Sequence, residues 1–182
     1  MEDVFSIEEL LRELTVTVSC GGNLLMNVGP NKDGVIVPIF EVNIQILWHV
    51  NTGLSQERLR QTGSWLGTNG EAIYSSKPWT HQNDSVNPEV WYTSKVLQEE
   101  GQVVYGIVLR WPGEGVLEVG SPVPGPDTQV TLLGYKEETL SFDFDQKESK
   151  MIINLPHLDN TGLKWAWVLK FVHLQNGGNA IH

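Results

Sequence analysis

Ser-Cys-Gly-Gly-Asn-Leu-Leu-Met-Asn-Val-Gly-Pro, residues 19–30, is the stretch from which the rest of the chain can be placed. Leu24, Leu25, Met26 and Val28 make a short, nearly continuous apolar run between Gly21-Gly22 and Gly29-Pro30. A strand covered on both faces reads this way, so a buried parallel strand is predicted here. Upstream, Ile7, Leu10, Leu11, Leu14 and Val18 recur at helical spacing, with Ser6 as N-cap and Glu8 and Glu9 in the first turn, where the helix dipole favours anions. Downstream of Asp33-Gly34, Pro38 can start a second helix. The local order is helix, strand, helix, which is part of an α/β unit.

From about residue 71 the pattern changes to short alternating runs separated by turn residues. Candidate strands are Glu71–Ser75, Val90–Ser94, Val103–Arg110, Gly115–Glu118, Gln129–Leu133, Thr139–Phe144, Met151–Leu155 and Trp165–His173. Between them lie Gly113-Glu114-Gly115, Pro122 to Asp127 and Asp159-Asn160-Thr161-Gly162, all with turn chemistry. Short strands at this spacing describe an antiparallel β-sandwich. The break between the two patterns falls near Asn69-Gly70.

Several of these segments together resemble a family. Residues 20–30, then Asp33-Gly34-Val35-Ile36-Val37-Pro38-Ile39-Phe40, Glu57-Arg58-Leu59-Arg60-Gln61-Thr62-Gly63-Ser64-Trp65-Leu66 and Asn69-Gly70-Glu71-Ala72-Ile73-Tyr74 are similar to the α-L-fucosidases of glycoside hydrolase family 29, closest to the animal enzymes. Trp91-Tyr92-Thr93-Ser94 and Leu163-Lys164-Trp165-Ala166-Trp167 carry the likeness almost to the C-terminus. The resemblance implies an α+β fragment: the last helix, strand and helix of a (β/α)8-like barrel in residues 1–69, an antiparallel β-sandwich in 70–175, and a tail, 176–182. Residues 42–56 depart from it as an insert within one helix, which even if helical would turn the following face by roughly 60°. Asn51-Thr52-Gly53 is expected to break that helix and Ser55 to recap a second one at Glu57.

The same resemblance implies hydrolysis of terminal α-L-fucose, with retention, from glycoproteins and glycolipids. Retention needs two carboxyl groups about 5–5.5 Å apart. The family takes both from positions before the segment matching Ser19, so this chain alone is expected to be inactive, with no catalytic or substrate-binding residue to assign. The alternative is a non-catalytic β-sandwich that binds carbohydrate or a protein partner. Implied partners are fucosylated glycans and further copies in a homo-oligomer, and the implied location is lysosomal or secreted. Met1-Glu2-Asp3 opens no signal peptide, which would leave the chain in the cytosol if translated as given. Apolar surface left uncovered by the absent barrel would make 1–69 protease-sensitive, leaving a resistant core from about residue 70.

The net charge of −10 argues against nucleic acid and anionic membrane as partners, and no apolar run approaches the roughly 20 residues of a membrane span. The single cysteine, Cys20, reads as a small core residue. His49, His81, His157, His173 and His182 show no ligand spacing, so neither metal nor cofactor is expected. Asp143 and Asp145 lie two apart on a predicted strand and read as a solvated face; Glu71 reads as a contact across the junction, and Asn27 as a buried amide near the strand end. Of the seven tryptophans, Trp65, Trp165 and Trp167 fit core positions, the last two on one strand face, whereas Trp79, Trp91 and Trp111 are less determined. Asn83-Asp84-Ser85 is an N-glycosylation sequon, which makes Asn83 a candidate acceptor.

Overall fold

A computed structural model of the chain describes residues 5–26, 33, 52–136 and 138–178, without the side chains of 52–56. Asn27 and Val28 of the predicted strand, the helix start at Pro38, the insert through residue 51, His49 and His182 lie outside the described residues. The described order is α1 (Ile7–Ser19), α2 (Thr52–Asn69), a 3-10 turn (Gly70–Ala72), β1 (Lys77–Asn83), β2 (Val90–Leu97), β3 (Gly101–Val108), β4 (Val116–Val119), β5 (Pro124–Leu132), β6 (Phe142–Asp145), β7 (Lys150–Asn154), a second 3-10 turn (Leu158–Asn160) and β8 (Trp167–Leu174).

Helix α1 forms as its sequence dictates. Ser6 accepts from the Glu9 N–H and Glu9 reaches back to the Ser6 N–H, so two free donors are satisfied at its start. At its end Gly21 adopts φ +81°, and the Gly21 and Gly22 N–H groups return to Val18 and Thr17 carbonyls. That is a Schellman stop, which an L side chain at Gly21 would resist. Gly21-Gly22 therefore serves the helix end rather than a strand entry, and Cys20, the C-cap, is exposed rather than a core residue.

Two sheets form a sandwich of antiparallel pairs. One has five strands in the order β1-β2-β3-β8-β5, the other three in the order β4-β7-β6. Tyr92, Val104, Val108, Leu169 and Phe171 from the larger sheet meet Leu117, Val119, Met151 and Ile153 from the smaller in one core. Gly106 lies between them; a Cβ there would come within 3.0 Å of the Phe171 ring and 3.2 Å of Tyr92, so the close approach of these rings needs glycine. The other parity of the same strands, Val103, Tyr105, Ile107, Val168 and Val172, faces outward into a second core with Ile7 and Leu11 of α1 and Trp65 of α2. Trp65 Nε1 donates to the Ala166 carbonyl at 2.8 Å, fixing α2 to the chain entering β8. The layers are thus helices, five-stranded sheet and three-stranded sheet.

A buried carboxylate joins the loops at one end of the sandwich. Asp84, 5% exposed, accepts through Oδ1 from the Val86, Asn87 and Gly120 N–H groups and through Oδ2 from Ser121 N–H, Gly120 N–H and the Tyr92 hydroxyl. The loop after β1 is thereby held to the loop after β4, across the two sheets. Burial alone would raise its pKa, yet the N–H groups of Asn87, Gly120 and Val86 and the Tyr92 hydroxyl outweigh burial and hold it below the usual carboxylate value. The neighbouring Asn83 amide donates to the Pro88 and Val90 carbonyls at 3.1 and 2.9 Å, closing the same loop.

The structure departs from the sequence expectations at several points. Leu24 to Met26 are in no strand, and Leu25 is 90% exposed, because no described strand lies alongside to pair with them. Helix α2 is continuous over Thr52–Asn69, so Gly53 lies within it and no new helix starts at Glu57. Glu71–Ser75 is the end of a 3-10 helix followed by a turn with Ser75 at φ +57°, not a strand. The strand there is β1, an edge strand that tolerates Pro78 and buries Trp79 alone. Trp165 precedes β8 at φ +71°, which breaks the alternation: Trp167 enters the inter-sheet core while Trp165 packs against the helix-side core.

The shared outer core argues against a resistant fragment starting near residue 70, since removing α1 would bare Val103, Tyr105 and Ile107. Leu11→Ala, at a site with no exposure, is expected to lower stability by about 2–5 kcal/mol in urea unfolding followed by tryptophan fluorescence. Asp84→Asn is expected to cost roughly 2–4 kcal/mol at neutral pH, because an amide NH2 would face backbone donors. Since the folded pKa of Asp84 is depressed, its contribution is present above the unfolded value and fades as pH falls through the folded one. The gap between parent and variant should therefore narrow in acid.

Candidate functional site

Chemistry of the expected kind needs facing carboxylates, and two arrangements on the described surface bring carboxylates near one another. The first is built on a register pair of the five-stranded sheet, Tyr105 on β3 opposite Lys170 on β8. Glu71, in the 3-10 turn after α2, accepts from the Tyr105 hydroxyl at 2.5 Å. Lys170 Nζ lies 3.1 Å from Glu71 Oε1 and 2.6 Å from Glu100 Oε2. Burial opposes the charge on Glu71, but Tyr105 and Lys170 outweigh it and leave its pKa lowered. Burial likewise opposes the charge on Lys170, and Glu100 and Glu71 raise its pKa despite that. The Tyr105 hydroxyl is pushed up by burial and by Glu71, so it stays protonated as a donor.

This is an ion-pair network and not an acid/base pair. A glycosidase leaves room for the sugar between its two carboxyl groups. Here the Lys170 ammonium group fills that room, between Glu71 and Glu100. The second arrangement repeats the pattern, with Lys150 3.2 Å from Glu118 and 2.6 Å from Glu148 on the smaller sheet. Glu71 thus makes the junction contact expected of it.

The remaining sequence candidates are dispersed. Asp145 caps the turn after β6 by accepting from the Lys147 and Glu148 N–H groups, and Asp143 is exposed. His81 is exposed against the edge of Trp79, His157 sits 3.5 Å from Asp159, and His173 is exposed on β8. Among the described residues no three His, Cys, Asp or Glu side chains gather as a metal site. Trp65 and Trp79 are buried and Trp91 is half-buried.

Sequence reasoning missed two features. Asp84 could have been suspected as an Asx turn, but its Gly120 and Ser121 partners lie far along the chain. The other is a cleft of about 510 Å³ beside the start of β8, lined by Glu8, Arg110, Trp111, Lys164, Trp165 and Trp167. The rings of Trp111 and Trp167 lie 5.1 Å apart and tilted by 57°.

Comparison with known proteins bears on both halves of the chain. Residues 1–71 match the family model for alpha-L-fucosidase, and residues 82–172 match that for the alpha-L-fucosidase C-terminal domain. Plasma alpha-L-fucosidase of Rattus norvegicus is 44% identical over 175 residues, which is 94% of this chain and 34% of the relative. Tissue alpha-L-fucosidase of Homo sapiens is 42% identical over 172 residues, 93% of this chain and 32% of the relative. The crystal structure of Thermotoga maritima alpha-fucosidase in complex with fucose superposes with a TM-score of 0.71 at 27% identity, covering 94% of this chain and 35% of that one. The chain spans about a third of the length of these relatives. With two consecutive family models matched in order along a helix-covered antiparallel sandwich, the chain belongs to the α-L-fucosidase family, as a C-terminal portion of such an enzyme.

Proposed function

We propose that this chain supplies the supporting third of a retaining α-L-fucosidase acting on terminal fucose of glycoproteins and glycolipids, and that it does not hydrolyse fucosides by itself. In this reading residues 1–69 are the last helix, strand and helix of the catalytic barrel, with 42–56 as an atypical insert, 70–175 the sandwich, and 176–182 a tail. The observation that carries it is the ordered match of both family models, together with α1 and α2 seated on the outer face of the five-stranded sheet. The sandwich holds the last barrel helices in place, and the Glu71–Tyr105–Lys170–Glu100 network locks the connection between them.

Relatives named for plasma and tissue support a secreted or lysosomal setting, with fucosylated glycans as substrates and a homo-oligomer as the assembly. No described helix is long and apolar enough to cross a membrane. Asn83 remains the candidate glycosylation site: a glycan on Nδ2 leaves one N–H, enough to keep one of its two carbonyl partners. A non-catalytic carbohydrate-binding role is the second reading, and the tryptophan-lined cleft is what favours it.

The purified chain is expected to release no chromophore from 4-nitrophenyl α-L-fucoside, and turnover by it would overturn the proposal. Fused behind the preceding two thirds of the rat plasma relative, with and without residues 42–56, it should restore hydrolysis in at least the version lacking the insert. Failure of both fusions would count against the reading. Glu71→Gln should lower the melting temperature at neutral pH. Because the folded pKa of Glu71 is depressed, that difference should vanish as pH falls through it.

A further inference from the structure

The cleft beside the start of β8 has the makings of a ligand site that the fucosidase reading does not use. Trp111 and Trp165 remain partly exposed at its wall, and Trp167, only 7% exposed, has an indole Nε1 without a hydrogen-bond partner among the described residues. Trp165 is held at φ +71°, a left-handed backbone that a bulky side chain rarely adopts and that recurs at binding sites. The neighbouring chain over-determines it: the Ala166 N–H returns to the Lys164 carbonyl at 2.9 Å and the Ala166 carbonyl accepts from Trp65.

Around these rings stand Glu8, Arg110 and Lys164, whose side chains make no ion pair or hydrogen bond among the described residues. Indole surfaces take the apolar C–H face of a pyranose, while a guanidinium, an ammonium and a carboxylate can bind its hydroxyls as donors and acceptor. The space over the rings, about 510 Å³, is wide open to solvent, which leaves room for a saccharide lying across the tryptophan faces.

Position adds a further argument. Glu8 is in the first turn of α1, so the cleft lies at the N-terminal end of that helix. In a (β/α)8 barrel the helices begin at the end where the strands finish, and the active site lies at that end. If α1 is a barrel helix, as the proposed function holds, the cleft opens on the same side as the barrel mouth.

We propose that the cleft formed by Trp111, Trp165 and Trp167 with Glu8, Arg110 and Lys164 is a saccharide-binding site for the part of a fucosylated glycan beyond the fucose. The inference rests on the fucosidase reading for its choice of ligand. The test titrates the full 182-residue chain, by tryptophan fluorescence, with 2′-fucosyllactose, its core disaccharide lactose, and L-fucose. Saturable binding of the first two and not of L-fucose is expected, with Trp165→Ala and Arg110→Ala each weakening it by about tenfold or more. Arg110 is exposed, so its variant carries the test if Trp165→Ala unfolds. Absence of saturable binding, equal binding of L-fucose alone, or binding unchanged in Arg110→Ala would each overturn the proposal. The readout needs no turnover: fusions that hydrolyse while the chain fails to bind would remove the cleft and keep the fucosidase reading, and the reverse pattern would remove that reading.

Discussion

The molecule depends on a sheet that is covered on both faces. In an ordinary antiparallel sandwich the outer face of each sheet meets water and the strands alternate apolar with polar. Here β3 and β8 bury both parities, Val104, Val108, Leu169 and Phe171 toward the smaller sheet and Val103, Tyr105, Ile107 and Val168 toward the helices. At about 25 cal/mol per Å² of apolar surface removed from water, a second covered face is a large share of the stabilisation available to a chain of this size. It also gives α1 and the end of α2 an apolar surface to sit on.

The charges near that interface are arranged to survive burial rather than to react. Lys170 emerges on the helix side of β8 among apolar neighbours and is compensated by Glu71 and Glu100, while Tyr105, the fourth member of the group, gives Glu71 a second partner. Asp84 solves the same problem without a cation, by collecting backbone N–H groups from two loops. Removing one member of either group would strand a charge, which costs more than the pair itself is worth. Both carboxylates have depressed pKa values and so stay ionised in mildly acidic surroundings.

What could be read from the sequence follows from where each signal resides. Helix α1 was legible because Ser6, the first-turn glutamates and the apolar period are all local. Strands β2, β3, β7 and β8 were legible because their branched and aromatic runs are continuous. Strand β1 was not, since Trp79 is its single buried side chain and Pro78 argues against a strand. Leu24 to Met26 carry a pattern written for strand neighbours that are not beside them among the described residues, so the local signal and the observed coil disagree. The aromatic cleft was invisible for a different reason: Glu8, Arg110 and Trp165 meet only after α1, β3 and β8 are assembled, and a left-handed tryptophan has no sequence marker.

The outer face of the larger sheet bears on how such proteins can evolve. Val103, Tyr105, Ile107 and Val168 need a helical cover before the sandwich can be soluble, so this sandwich cannot be traded between genes as a free-standing cassette. Recombination points that keep it functional must fall upstream of Ile7, carrying α1 and α2 along with the strands, and inheritance of the two layers is thereby coupled.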